Sequence, residues 1–203
     1  HLTSSDIAFW DDLAYVGDYG GFRIFDISNG KPKLVSDMRC YGPQGDPSVI
    51  DTDRDGDADT LVLSVDSVLT GPQCGAGLAS KNATTGRYPD GAWEGIRVFD
   101  IENPRAPQQI ATVYQDCGSH TNTLLPNPRG KSMYVLNSSY PLGDGPTCGP
   151  LGADQARGFE TIAHRHLDVH DDQIGTQVAG QRQGGKPIGG LADDFRKTSF
   201  RAA

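Results

Sequence analysis

Five aspartates crowd into the nine residues Asp51-Thr-Asp-Arg-Asp-Gly-Asp-Ala-Asp59. Asp51, Asp53, Asp55 and Asp59 stand at loop positions 1, 3, 5 and 9, with Gly56 at 6 and Asp57 at 7. A calcium ion takes six to eight hard oxygens, and alternating carboxylates around a turn glycine converge on one point. Without a cation, so many like charges repel one another. The competing reading is a solvated acidic hairpin, which Asp-Gly turn chemistry also favours. An EF-hand needs a glutamate at position 12, which here is Val62, and the flanking Ser48-Val-Ile50 and Thr60-Leu-Val-Leu-Ser64 read as strands rather than helices. The expectation is a structural Ca²⁺ held by the side chains of Asp51, Asp53, Asp55 and Asp59 and the backbone carbonyl of Asp57.

Other chemistry-bearing residues carry less. His164-Arg-His-Leu-Asp168 fits the spacing of a metallohydrolase motif. That site needs a preceding buried strand and distant further ligands, and only about 35 residues follow. Gly180-Gln-Arg-Gln-Gly-Gly-Lys186 mimics a phosphate loop, but Pro187 stands where a Mg²⁺-binding hydroxyl belongs. There is no Gly-x-Ser-x-Gly and no Cys/His pairing for a nucleophilic enzyme. Four cysteines, Cys40, Cys74, Cys117 and Cys148, sit in turns or at strand ends with no Cys-x-x-Cys pair, so a zinc ribbon has little support. Two sequons, Asn82-Ala-Thr84 and Asn137-Ser-Ser139, are compatible with export.

The elements that position these residues repeat. Phe22-Arg-Ile-Phe-Asp-Ile27 recurs as Ile96-Arg-Val-Phe-Asp-Ile101, and Gly71-Pro-Gln-Cys-Gly75 as Gly145-Pro-Thr-Cys-Gly149, both 74 residues on. Between these blocks Leu61-Val-Leu-Ser-Val65 matches Met133-Tyr-Val-Leu-Asn137, and Cys40 matches Cys117. Within a unit, apolar alternation is broken by turn residues at Asp11-Asp12, Gly20-Gly21 and 28–32, which reads as four short strands. The units fall at about 4–40, 46–115 and 119–139, with an insertion at about 67–94 in the second. His120 opens the third, at the place of Ser5 and Gly45 in the first two. If first strands line a central channel, His120 is a candidate metal ligand there, weighed against an ordinary hydrogen-bonded histidine.

Four-stranded units in tandem suggest an all-β fold, a β-propeller, which closes with about four to eight blades. Two and a half blades are therefore expected to be a fragment. Val16-Gly-Asp-Tyr-Gly-Gly-Phe-Arg-Ile-Phe-Asp-Ile-Ser28, with Lys31-Pro-Lys-Leu-Val35, resembles the LVIVD repeat, and Trp93-Glu-Gly-Ile-Arg-Val-Phe-Asp-Ile101 and Asp116-Cys-Gly-Ser-His120 are similar to exported actinobacterial members. The resemblance covers residues 1–149. It implies a propeller outside the cell or on its surface and brings no defined reaction. The acidic loop is similar to the calcium loops of integrin-type propeller repeats.

Beyond Pro150 the repeat pattern stops, large apolar residues thin out, and 150–203 is expected to be an irregular tail, foreign to the propeller, that cannot offset its ordering entropy by burial. Elsewhere, 26 glycines, 13 prolines and 36% hydrophobic residues suit short strands and many turns. A net charge of -8 argues against nucleic acid as a partner, and no apolar stretch is long enough to span a bilayer. Four cysteines allow three pairings; repeat equivalence favours Cys40–Cys74 with Cys117–Cys148. The reading that follows is a secreted or cell-surface scaffold that binds an unknown protein or surface ligand. The alternative is a metal-dependent oxidoreductase or hydrolase with its site in the channel of the complete ring, His120 being one ligand.

Overall fold

Alternation of side chains across a pleated strand decides which residues face which layer, and among the described residues the pattern builds three antiparallel sheets. The computed structural model describes residues 2–115, 117–126, 132–138 and 159–163. The first sheet is a meander of β1 (Ser4–Trp10), β2 (Leu13–Asp18), β3 (Gly21–Asp26) and β4 (Lys33–Arg39). The second repeats it with β5 (Gln44–Ile50), β6 (Thr60–Leu69), β7 (Trp93–Asp100) and β8 (Gln108–Tyr114). The third holds β9 (Thr121–Pro126), β10 (Ser132–Ser138) and β11 (Phe159–Ala163), in the order β11-β10-β9. There is no helix among the described residues.

The sequence repeat is a repeat of register as well. Row by row, Phe9↔Ala14↔Phe25↔Leu34 in the first sheet matches Val49↔Leu61↔Phe99↔Gln109 in the second. Both sheets slip register just before this row, between Ile24 and Phe25 and between Val98 and Phe99. Gly21, which opens β3, and its repeat partner Gly95, in the first half of β7, have φ of +135° and +143°, and a Cβ on either would lie 2.1 Å from a carbonyl oxygen, of Met38 or Val113. Only glycine fits that close strand approach.

Packing follows one rule. Tyr15, Phe22 and Ile24 of the first sheet bury against Leu61, Leu63 and Phe99 of the second, with Phe22 and Phe99 edge to face at 5.0 Å. Val62, Ile96 and Val98, on the opposite face of the second sheet, bury against Met133 and Val135 of the third. The middle sheet is therefore covered on both faces, and β6 and β7 are almost continuously buried. The three first strands, β1, β5 and β9, run alongside one another: Ser5 Oγ donates to the Gly45 carbonyl at 3.0 Å and Ser48 Oγ to that of Asn122 at 3.1 Å.

The insertion folds back on its own unit. β6 runs through Leu69 and β7 begins at Trp93; Leu69 bridges Leu78, and Val65, Leu69, Ala76 and Trp93 form a small core of their own. Cys40 and Cys74 are disulfide-bonded with Cα atoms 4.4 Å apart, the expected pairing. Cys117 is also disulfide-bonded, and Cys148 lies outside the described residues. One expectation is corrected. Within the 150–203 tail, Phe159–Ala163 forms a strand that pairs with β10 from Ser132↔Ala163 to Leu136↔Phe159. Its physical basis is an otherwise open edge on β10 met by a five-residue stretch containing the strand formers Phe, Thr and Ile. His164, His166 and Asp168 and the 180–187 segment lie outside the described residues.

Candidate metal loop and first-strand polar cluster

The turn joining β5 to β6 is built by its own carboxylates. Asp51 accepts the amides of Arg54 and, at 2.8 Å, of Gly56; Asp59 accepts the Thr52 amide at 2.8 Å and the Thr52 and Thr60 hydroxyls at 2.7 Å. Asp53 accepts the amide of Asp55 at 3.2 Å, and Asp55 that of Asp57 at 2.9 Å. Left-handed turns at Arg54 (φ +68°) and Gly56 (φ +109°) curl the chain round them. As a result one carboxylate oxygen each from Asp51, Asp53 and Asp59 lies within 4.8 Å of the others. Asp55 and Asp57 place no carboxylate oxygen in that group, so five alternating aspartates resolve into a side-chain triad and two neighbours, and the backbone carbonyl expected of Asp57 is a separate matter from this grouping.

The loop is tied to the first sheet. The Trp10 indole N–H donates to the Gly56 carbonyl at 2.8 Å. Asp57 and Asp11 both press charge on Tyr15, whose phenol is pushed up to about 12, mainly by burial and then by these two carboxylates. A triad of hard oxygens in this arrangement can take a divalent cation, with water or carbonyl oxygens filling the remaining positions.

A second polar cluster lies where the first strands meet. Asp46 on β5 is buried, and its carboxylate accepts the Asn122 amide of β9 at 2.7 Å. The Asn122 side chain donates to Ser64 Oγ at 2.9 Å, and Ser64 and Ser119 hydroxyls pair at 2.8 Å. Burial pushes the Asp46 carboxyl up to about 6. The Asn122 amide opposes the rise, the charge and hydrogen bond of Asp6 on β1 add to it, and His120 pulls down. His120 Nδ1 pairs with Asp66 Oδ2 at 2.7 Å. Reasoning from sequence singled out His120 and missed Asp46 and Asp66. Asp46 opens its unit one residue after Gly45, and that placement was the available signal.

Of the sequons, Asn82 uses its side-chain oxygen to accept the amides of Thr84 and Thr85, both at 2.9 Å, and Asn137 lies within β10 with its amide donating to the Gly118 carbonyl at 3.2 Å. Compared with known proteins, the chain matches no family model, no curated protein and no solved structure.

Proposed function

We propose that this chain is part of an extracellular or cell-surface β-propeller of the LVIVD type, a binding scaffold whose second unit carries a structural Ca²⁺ in the Asp51–Asp59 turn. The observation that carries the calcium reading is the convergence of Asp51, Asp53 and Asp59 within 4.8 Å. Each of these side chains lies on a short turn between two paired strands, so the cage is held by the sheet rather than by a free loop. The propeller reading is supported by units that share one register and one packing rule, with β1, β5 and β9 side by side. The Cys40–Cys74 bridge is compatible with an oxidising, extracellular location. What the scaffold binds is a protein or surface ligand of unspecified chemistry.

Calcium titration of the intact chain tests the proposal, read by calorimetry and by the fluorescence of Trp10, whose indole is bonded to the loop. Heat and a spectral change with Ca²⁺, much weaker with Mg²⁺, are the expected result. No heat and no shift in melting temperature would leave only an acidic turn.

A further inference from the structure

β5 interrupts its ladder at one place. Gln44 pairs with Val65 and Pro47 with Leu63, so Gly45 and Asp46 together stand opposite Ser64 and form a bulge. Gly45 turns there at φ +81°, where a Cβ would lie 2.4 Å from the Asp18 carbonyl oxygen, and Asp46 is left buried against β9. The bond that follows the bulge is Asp46–Pro47, the one Asp-Pro pair in the 203 residues. An aspartate carboxyl can close a five-membered ring on the carbonyl carbon of its own residue, with the reacting atoms already held together by the chain. The competing ring, closed by the next backbone nitrogen on the side chain, needs an N–H that proline lacks.

The surroundings of this bond suit that reaction. Asn122 Nδ2 donates to the Asp46 main-chain carbonyl at 3.1 Å, where it would stabilise the oxyanion formed on attack. The Asn122 backbone amide holds Asp46 Oδ2 at 2.7 Å and so fixes the carboxyl beside that carbonyl. Burial, with the charge and hydrogen bond of Asp6 on β1, keeps the carboxyl in its acid form up to about 6. The Asn122 amide and His120, itself paired with Asp66 of β6, pull the other way. The first unit supplies a comparison. Ser4 pairs with Asp18 and Ile7 with Val16, so the same bulge recurs in β1 with Asp6 at the place of Asp46. There the side chain is exposed, its carboxylate accepts the Ile7 amide at 2.7 Å, and no proline follows.

We propose that the chain cleaves itself between Asp46 and Pro47, with the Asp46 side-chain carboxyl as nucleophile and Asn122 as the donor to the scissile carbonyl. A carboxyl oxygen bonds to the main-chain carbonyl carbon of Asp46, and the bond from that carbon to the Pro47 nitrogen breaks. The carboxyl proton ends on the proline nitrogen, which leaves as a secondary amine, and a cyclic anhydride remains on Asp46. Water opens the anhydride to two carboxyls, so the net reaction is hydrolysis of one peptide bond. The products, 1–46 and 47–203, stay joined by the Cys40–Cys74 bridge and by the core packed between the first two sheets. The cut therefore leaves the scaffold assembled, with a new N-terminal proline where the first strands meet.

Incubation of the full folded chain at mildly acid pH, followed by gel electrophoresis and intact mass, tests this. Fragments with the masses of 1–46 and 47–203 should accumulate, separating only after reduction of the bridge. The acid form is the reactant, so the rate should fall about tenfold for each pH unit above about 6. At the same pH the urea-unfolded chain should be cut at least about tenfold more slowly, because its aspartate is mostly ionised there. Asp46→Asn and Pro47→Ala should both stay whole, with circular dichroism as the check that each is folded. Asn122→Ala should slow the cut at least about tenfold. A folded wild type that stays whole would overturn the proposal. So would a rate no faster than that of the unfolded chain, which is ordinary Asp-Pro lability, or an equal cut in Asp46→Asn, which is a contaminating protease.

Discussion

Arg97 Nη1 on β7 donates to the Tyr41 carbonyl at 2.7 Å, so a charge in the second sheet is held by the backbone that leaves the first. Arg97 is wholly buried, and burial alone lowers its guanidinium to about 10. Carbonyls at Pro72, Gln73, Cys40 and Tyr41 and the Trp93 ring face offset that desolvation. A lysine keeps the charge but cannot span carbonyls on both segments. Arg97→Lys should therefore cost about 2 kcal/mol in urea unfolding, through carbonyls left unpaired, against under about 1 for the less enclosed Arg23→Lys. Equal losses for the two would mean that the carbonyl cage contributes little.

The Cys40–Cys74 bridge fastens the same two segments, closing a sequence separation of 34 residues. Replacing both cysteines by alanine should destabilise by about 3 kcal/mol, and reduction of the wild type, which also opens the bridge of Cys117, by at least as much. Because Arg97 and the bridge hold one junction, their effects should not add. A triple variant with Arg97→Lys should differ from the sum of the parts by at least about 0.5 kcal/mol in denaturant titrations. Simple additivity would show that the two fastenings act independently.

How much of this was legible in the sequence depends on the range of the interaction. The alternation in Phe22–Ile27 and Ile96–Ile101 set the strands, and their repetition gave the units, because period-2 burial is written locally. Gly21 and Gly95 were visible as repeat partners, though not the carbonyl contacts that demand them. The acidic turn announced its carboxylates, but which three converge is decided by left-handed backbone at Arg54 and Gly56. The Asp46–Asn122 contact joins residues 76 apart through the side chains of these two residues and leaves no periodic trace. The pairing of Phe159–Ala163 with β10 was hidden for a related reason: five residues in a polar stretch carry little signal until an open edge receives them.

Asp46 makes the stability of the strand junction depend on pH. Its carboxyl sits at about 6 against an ordinary 3.8, so between those values the folded state holds a proton that the unfolded state releases. The contribution is therefore full below about pH 4 and is lost as pH rises through about 6. Asp46→Asn keeps an oxygen for the Asn122 amide and removes the titration. Relative to wild type, that variant should gain of order 1 kcal/mol between pH 5 and 8, a figure reduced for the solvent that reaches exposed Asp6. Thermal melts across that range provide the check. Parallel wild-type and variant curves would show that Asp46 titrates no differently in the folded chain.

The calcium prediction distinguishes among the five aspartates. Asp51 and Asp59 hold up the turn by capping its amides, so their loss would damage the loop with or without a cation. Asp53 is the exposed member of the triad and the cleanest probe of binding. Asp53→Ala should abolish the calcium-induced rise in melting temperature, while the fold without calcium changes little. For wild type, binding to the folded state alone should add about 2.7 kcal/mol at a hundredfold excess over the dissociation constant. Asp55→Ala removes a carboxylate outside the triad and should weaken calcium binding by less than Asp53→Ala. Asp12→Ala, in the β1–β2 turn, should leave binding unchanged. If Asp53→Ala binds calcium like wild type, or if Asp12→Ala loses the gain equally, the heat comes from general screening of an acidic chain and not from this cage.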